Sequence, residues 1–388
     1  MPLFKRLNDY DMTSETSARE LFPILKNHIF FDHARVAPLP QVVRKAITDF
    51  ANDACENGTA NYAYWDAEID KTRNRFARFI NAEVDEVAFV KNTSEGIAIV
   101  ANGLDWNPGD NVVIPDIEFP ANVYPWQNLR RHGVETRFVK AVDGRVLFDD
   151  IVSKADARTR VISISSVECN SGFRTDLKRI GSFCKEQGIL FCVDAIQSLG
   201  VTPMDVKRDH IDFLSADGHK WLLSVEGLGG FFISKQVLDK VYPVTVGWNN
   251  MIDASDYMNY RFEFRPDAQR YEEGSLNTMS IHAFGAALSI FESEGIDNVQ
   301  RKIFRLGDLV IENLRKRNIN IISSTKPEER SGNISFIPNG DLQALSIHMQ
   351  KNKVKLTARN GLMRVSPHFY NTEDEVEKFF SLLDAFKK

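Results

Sequence analysis

Lys220 stands in the tetrad Gly218-His219-Lys220-Trp221, between a short apolar run and the glycine-rich stretch Glu226 to Gly230. A lysine held in a partly desolvated place loses proton affinity and becomes a nucleophile toward carbonyl carbon. A surface turn carrying a solvated lysine has the same composition, so the tetrad alone leaves both readings open. Asp194 closes the apolar run Phe191-Cys192-Val193. In an open parallel sheet, ligands gather outside the carboxyl ends of the strands. A buried carboxylate there needs a cationic partner, and a protonated ring nitrogen would serve; an aspartate capping the next helix is the alternative. Gln197, three residues on, faces either the same crevice or solvent. Thr93 and Ser94 follow a strand-like run and open a helix-like one. Their hydroxyls, with the free N–H groups of a helix start, make either an anion site or an ordinary cap. Asp217 and His219, beside the lysine, are placed for a phosphate or its water shell.

An aldehyde for the lysine, a ring nitrogen for the carboxylate and a phosphate for the helix start belong together in one cofactor, pyridoxal 5′-phosphate (PLP). Its chemistry is an electron sink for a carbanion at the Cα of an amino acid. Asp194 would keep the ring nitrogen protonated, and Lys220, once displaced, would move the proton.

The elements that must position these residues are legible as an alternation. Glu86 to Val90, Asn111 to Asp116, Val134 to Lys140, Arg160 to Ser166 and Ile189 to Ala195 read as strands. Ser94 to Leu104, opening on Thr93 or Ser94, Ala121 to Gly133 and Asp176 to Gly188 read as helices. The apolar strand before Asp194 lacks the alternation of a half-exposed strand, as buried parallel strands do. Strand, helix, strand predicts an α/β fold, a mainly parallel sheet flanked by helices. Beyond about Tyr260 the texture changes to long helical patterns, a strand at Glu329 to Pro338 and a closing helix, which predicts a smaller α+β domain. The expected division is an N-terminal segment 1–40 packing on the small domain, a large domain 41–260 and a small domain 261–388.

Composition narrows the function. The chain of 388 residues is 43% hydrophobic and 26% charged, with a formal net charge of −5. Nothing in that balance predicts nucleic acid or an anionic membrane as partner. Four cysteines without a C-x-x-C pair fit neither a zinc site nor a disulfide scaffold, so no metal is expected. The polar N-terminus and the absence of a long apolar run predict a cytoplasmic protein with no membrane span.

The combination of Val193 to Gly200 with Ser215 to Trp221 resembles the class V aminotransferase family of fold type I PLP enzymes, the isopenicillin N epimerase and cysteine desulfurase-like branch. The stretch from Arg364 to Phe379 adds to the likeness, which runs from about Phe30 to the C-terminal helix. The resemblance implies a seven-stranded-type sheet in the large domain and a homodimer with shared active sites. It implies Lys220 as the Schiff-base lysine, Asp194 at the pyridine nitrogen and Gln197 as donor to the ring hydroxyl. Thr93, Ser94 and His219 are implied phosphate ligands; Asp217 stands where many relatives carry a serine ligand. Tyr271 to Thr278 resembles the segment that reaches the neighbouring subunit's site, with Ser275 as a phosphate-binding hydroxyl. Arg364 resembles the clamp on the substrate α-carboxylate.

Two departures from the desulfurase pattern matter. Phe119 stands at or next to the position of the histidine that stacks on the ring; it can stack but cannot carry protons. The loop before Arg364, Thr357 to Met363, is short and holds no cysteine, so a persulfide route has no obvious nucleophile. Aminotransferase, epimerase and C–S or β-lyase remain as reactions on an amino acid substrate. Cysteine desulfurase or selenocysteine lyase is disfavoured, and a non-catalytic binding protein on the same fold is the reading of another class. Arg35 could bind a second substrate carboxylate or sit in a surface salt bridge. Trp65, His33 and Cys169 read first as packing residues.

Overall fold

The computed structural model describes residues 15–386; residues 1–14 of the expected N-terminal segment lie outside the described residues. Seven strands form the main sheet: β1 (Val87–Val90), β2 (Asn111–Pro115), β3 (Glu135–Val139), β4 (Thr159–Ser165), β5 (Leu190–Asp194), β6 (Phe213–Asp217) and β7 (Gly229–Ile233). Their order across the sheet is β1-β7-β6-β5-β4-β2-β3. Only β7 runs antiparallel to its neighbours, so the other six end at the same edge.

Residues along these strands alternate between two cores, as the two-residue period of a strand requires. Phe89, Val113 and Ile162 enter one core with the helices Tyr62–Phe79 and Thr278–Glu294. Ala88, Val112 and Val161 enter the other with the helix Thr93–Gly103. Both faces of the sheet are therefore covered, and β5 and β6 are buried at every residue, which is why β5 reads as an apolar run up to Asp194. A third core lies under a four-stranded antiparallel sheet (Thr357–Arg359, Leu362–Val365, Ile334–Ile337, Asn320–Ile321) and the helices Ile296–Lys316, Leu342–Lys351 and Glu373–Ala385. Ile29–Phe30 pairs in parallel with Val354–Lys355. The fold is α/β, with a mainly parallel seven-stranded sheet and a smaller α+β portion.

One expected element is different. The helix predicted from Ala121 to Gly133 is broken into a 3₁₀ turn (Pro120–Asn122), a single α turn (Tyr124–Gln127) and a second 3₁₀ turn (Asn128–His132). Pro120 and Pro125 lack the N–H that a continuous helix would use. Asn122 is drawn inward instead, accepting from Ser163 Oγ at 2.6 Å and Trp126 Nε1 at 3.0 Å. Among the described residues no helix is long and apolar enough to cross a membrane.

Candidate active site

The parallel strands end on one side of a cleft of about 960 Å³, and the segments from Phe30 to Val36 and Val354 to Arg364 close the other. Lining it together are Thr93, Ser94, Phe119, Asp194, Gln197, Asp217, His219, Lys220, Arg35 and Arg364. Of the cofactor- and substrate-binding residues expected from the sequence, Ser275 alone stays outside this cleft; it is exposed on the segment after Glu272.

Lys220 follows β6 through the turn at Gly218-His219. Its Nζ lies 5.5 Å from the centre of the Phe119 ring. Burial holds the Lys220 ammonium below the usual lysine range, against the opposing pull of Asp194. Asp194 is the last residue of β5 and is buried; Ile196 N donates to its Oδ1 at 3.0 Å. Burial raises its carboxyl to about 6, despite that hydrogen bond and the Lys220 charge.

The helix after β1 is capped by Asn92, whose Oδ1 accepts from Glu95 N at 3.0 Å. The helix opens on Thr93, as expected, and of the two readings of the hydroxyls the cap falls away: an asparagine one residue earlier does that work and leaves both hydroxyls to other partners. Thr93 Oγ1 accepts from Asp217 N at 3.0 Å. This close approach of helix to β6 requires Gly96, where a Cβ would meet Ser215 Oγ at 2.3 Å. The Asp217 carboxylate lies close to His219, Oδ1 to Nδ1 at 2.9 Å, but at an angle that makes no hydrogen bond, so both atoms stay without a partner.

Gln197 is buried, its Nε2 donating to Ala34 O at 3.0 Å and its Oε1 accepting from Trp221 Nε1 at 2.9 Å and Asn333 Nδ2 at 3.2 Å. One amide hydrogen remains for a ligand. Arg364 is buried too. Its Nη1 donates to Cys169 O at 2.7 Å, while Nε has no partner. Such an orphan donor calls for an acceptor in the cleft.

Sequence reasoning missed Glu118, Glu168 and Asp32. Glu118 accepts from Ser165 Oγ at 2.6 Å. Burial raises its carboxyl to about 8, with the Asp194 charge pushing the same way. Glu168 has no partner at either oxygen and is raised well above the usual range by burial, then by Glu118 and Asp194. Asp32 lies 3.9 Å from Arg364. No spacing rule announces these groups, since they meet only through the tertiary fold. His33 is structural: Nδ1 pairs with Ser366 O at 2.8 Å and Nε2 with Tyr370 Oη. Trp65 packs on Phe50 and donates to Asp53 at 2.7 Å. Cys169, read as packing, does line the cleft, and burial pushes its thiol up to about 11.

The raised carboxyls carry a pH consequence. Between the ordinary Glu value of 4.5 and about 8, the folded protein keeps a proton on Glu118 that the unfolded chain has lost, and Glu168 acts in the same direction. Stability therefore falls as pH rises through that window. Buried His33 and His368, held below 6.5, act oppositely but only up to 6.5. From pH 6.5 to 8 the histidines no longer oppose the carboxyls; Lys220, held below the usual lysine range by burial, opposes them in part, and the net stability is expected to drop by on the order of 1 kcal/mol. Thermal denaturation at pH 6.5 and 8 checks this; a melting temperature that holds or rises contradicts it.

The residues present fit PLP. A nucleophilic amine, a buried carboxylate short of a cation, hydroxyls at a helix start and an aromatic face converge on one space, with an unpartnered guanidinium donor across it. The family model "Aminotransferase class-V" matches residues 29–379. A protein of Methanothermobacter thermautotrophicus described as a probable cysteine desulfurase is 30% identical over 390 residues, covering 94% of this chain and 96% of its own. An uncharacterized aminotransferase of Bacillus subtilis is 27% identical, over 92% and 94% of the two chains. Among solved structures, the apo cysteine desulfurase of Thermococcus onnurineus NA1 superposes with a TM-score of 0.87 at 23% identity, over 99% of each chain. A mutant of C-DES with glycine covalently linked to its PLP cofactor gives 0.89 at 23% identity, over 95% and 99%. At those identities the structures speak to the fold.

Proposed function

The chain belongs to the class-V aminotransferase family, and from that premise we propose that it acts on an amino acid at Cα, with Lys220 as the covalent anchor of its cofactor. It is a PLP-dependent enzyme. When bound, PLP supplies the electron sink that makes the Cα proton removable.

The chain's own residues do the rest in this reading. Lys220 Nζ, buried and held low in proton affinity, takes the proton and gives it back. Asp194 holds a proton on the ring nitrogen by its negative charge. Thr93, Ser94 and His219 hold the phosphate, with Asp217 acting through His219, and Gln197 donates its remaining amide hydrogen to the ring hydroxyl. Phe119 covers the ring face. Arg364 fixes the substrate α-carboxylate through the donor it leaves unpaired. The strands that carry Asp194 and Lys220 belong to a domain spanning 41–260. The residues 261–388 and the N-terminal segment close the cleft from the other side. A homodimer completes the reading, because exposed Ser275 would serve the neighbouring copy's phosphate.

The single observation that carries the proposal is the meeting of Lys220, Asp194 and Phe119 in one cleft at the sheet's carboxyl edge. Among the reactions that begin at Cα, cleavage of a C–S bond in a cysteine-type substrate has support in the relatives described as cysteine desulfurases. Elimination of that kind needs no cysteine nucleophile. A persulfide route would need one, and Cys169 is the cysteine that lines the cleft, although burial keeps it a thiol at neutral pH. Adding PLP is expected to produce a visible absorption band that moves when amino acids are added. Following keto acid, sulfide and optical inversion across an amino acid panel then assigns the reaction. With unbound PLP dialysed away, a protein that retains no visible band, or whose band no amino acid moves, would sink the proposal.

A further inference from the structure

The deep end of the cleft is accounted for by Lys220, Asp194 and the phosphate cradle. Its mouth is not. Arg35, Lys355 and Arg359 line the cleft together with Arg364. The facing acids are Asp32 and Glu226, since Asp194 and Asp217 lie buried beside Lys220 and His219. Asp32 is already engaged: Thr357 Oγ1 donates to its Oδ1 at 2.5 Å, and Arg364 stands 3.9 Å away. All three guanidinium groups, of Arg364, Arg35 and Arg359, pull on that one carboxylate.

The outer cations lack partners of their own. Among the described residues the side chains of Arg35 and Lys355 make no hydrogen bond or ion pair. Arg359 donates to a neutral amide, Asn170 Oδ1, at 3.2 Å. Guanidinium groups gathered around a single carboxylate repel one another. An anion among them would relieve that repulsion and would meet a rigid fork of donors on each arginine.

We propose that Arg359 and Arg35, with Lys355 at the rim, form a second anion subsite, so that the substrate is an α-amino acid whose side chain also ends in an anion, such as a carboxylate or sulfinate. The inference rests on the reading above only in that Arg364 takes the α-carboxylate. It sets the preferred substrate apart from neutral cysteine and leaves open which bond is broken.

The test uses unreactive probes on the PLP-loaded protein. Isothermal titration is run with glutarate and with butyrate, its monocarboxylate counterpart, at low and high salt. Glutarate is expected to bind at least about tenfold tighter than butyrate at low salt, and salt should shrink that advantage. Arg359→Gln and Arg35→Gln should each remove most of the glutarate advantage and spare butyrate, whereas Arg364→Gln should weaken both. Equal affinities in the unmodified protein, or a glutarate advantage that survives in the double variant Arg359→Gln/Arg35→Gln, overturn the subsite. Melting temperatures of the variants show whether they fold. The visible band of each sample reports the cofactor separately, so a protein that fails to load PLP overturns the earlier reading, while a loaded protein without dicarboxylate preference overturns this one.

Discussion

Lys220→Ala is expected to end covalent retention of PLP and to lower turnover of any amino acid substrate by roughly 10⁴-fold, the upper range for loss of a positioned acid–base group. Two losses coincide at one atom. Nζ is the nucleophile for the cofactor aldehyde, and it is also a base 5.5 Å from the Phe119 ring in the cleft. Its burial matters to both: a lysine kept below the usual range carries a larger unprotonated fraction at neutral pH than a surface lysine does. No neighbour can substitute. Arg364 stays protonated under all ordinary conditions, and His219 Nδ1 lies 2.9 Å from the Asp217 carboxylate without a hydrogen bond between them, on the phosphate side of the cleft in this reading. The measurement is borohydride reduction of the loaded protein, followed by peptide mapping. The label should fall on the peptide holding Lys220 in the parent and vanish in the variant. Label on another lysine, such as Lys355 at the cleft mouth, would refute the assignment.

The residues that sequence reasoning found are those whose neighbours along the chain mark them. Asp194 ends an apolar strand, Lys220 sits in a tight turn after another, and Thr93 opens a helix after a third. In a parallel sheet those three ends must share one edge, so chain-local patterns were enough to bring them together. Glu118, Asp32 and Arg359 had no such mark. Each is placed by what packs across it from elsewhere in the chain: Glu118 by Ser165, Asp32 by Thr357 and Arg364, and Arg359, at the end of a short strand, by Asn170. The missed break between Ala121 and Gly133 has the same origin. Its apolar spacing suits a helix, but Asn122 is held by Ser163 from a distant strand, and the prolines let the chain yield. The Asn92 cap was within reach, since asparagine is among the preferred capping residues.

Glu272→Ala is expected to destabilise the fold by about 3–5 kcal/mol, because it strands a buried arginine. Arg73 and Glu272 are 2% and 1% exposed in their side chains and meet through two parallel contacts, Nη1 to Oε1 at 2.6 Å and Nη2 to Oε2 at 3.0 Å. The pair does more than neutralise itself. β1 is an edge strand, and its outward backbone groups have no neighbouring strand to bond. Arg73 Nη1 donates to Val87 O at 3.0 Å, and Phe89 N donates to Glu272 Oε1 at 2.7 Å. The two side chains thus stand in for a missing strand, and the Arg73 guanidinium lies 4.6 Å from the centre of the Phe89 ring. Removing the glutamate leaves an unpaired charge and an open strand edge together. Replacing both, as Arg73→Met with Glu272→Leu, removes the charge penalty and should cost clearly less than Glu272→Ala alone. Denaturant unfolding of the single and double variants separates the cases. β1 leads into the helix that bears Thr93 and Ser94, and Glu272 leads into Ser275. The single variant should therefore also lose PLP more readily than the double variant at a temperature where both are folded. Equal stability of Glu272→Ala and the parent would show that the pair is replaced by solvent and that the edge of β1 needs no cover.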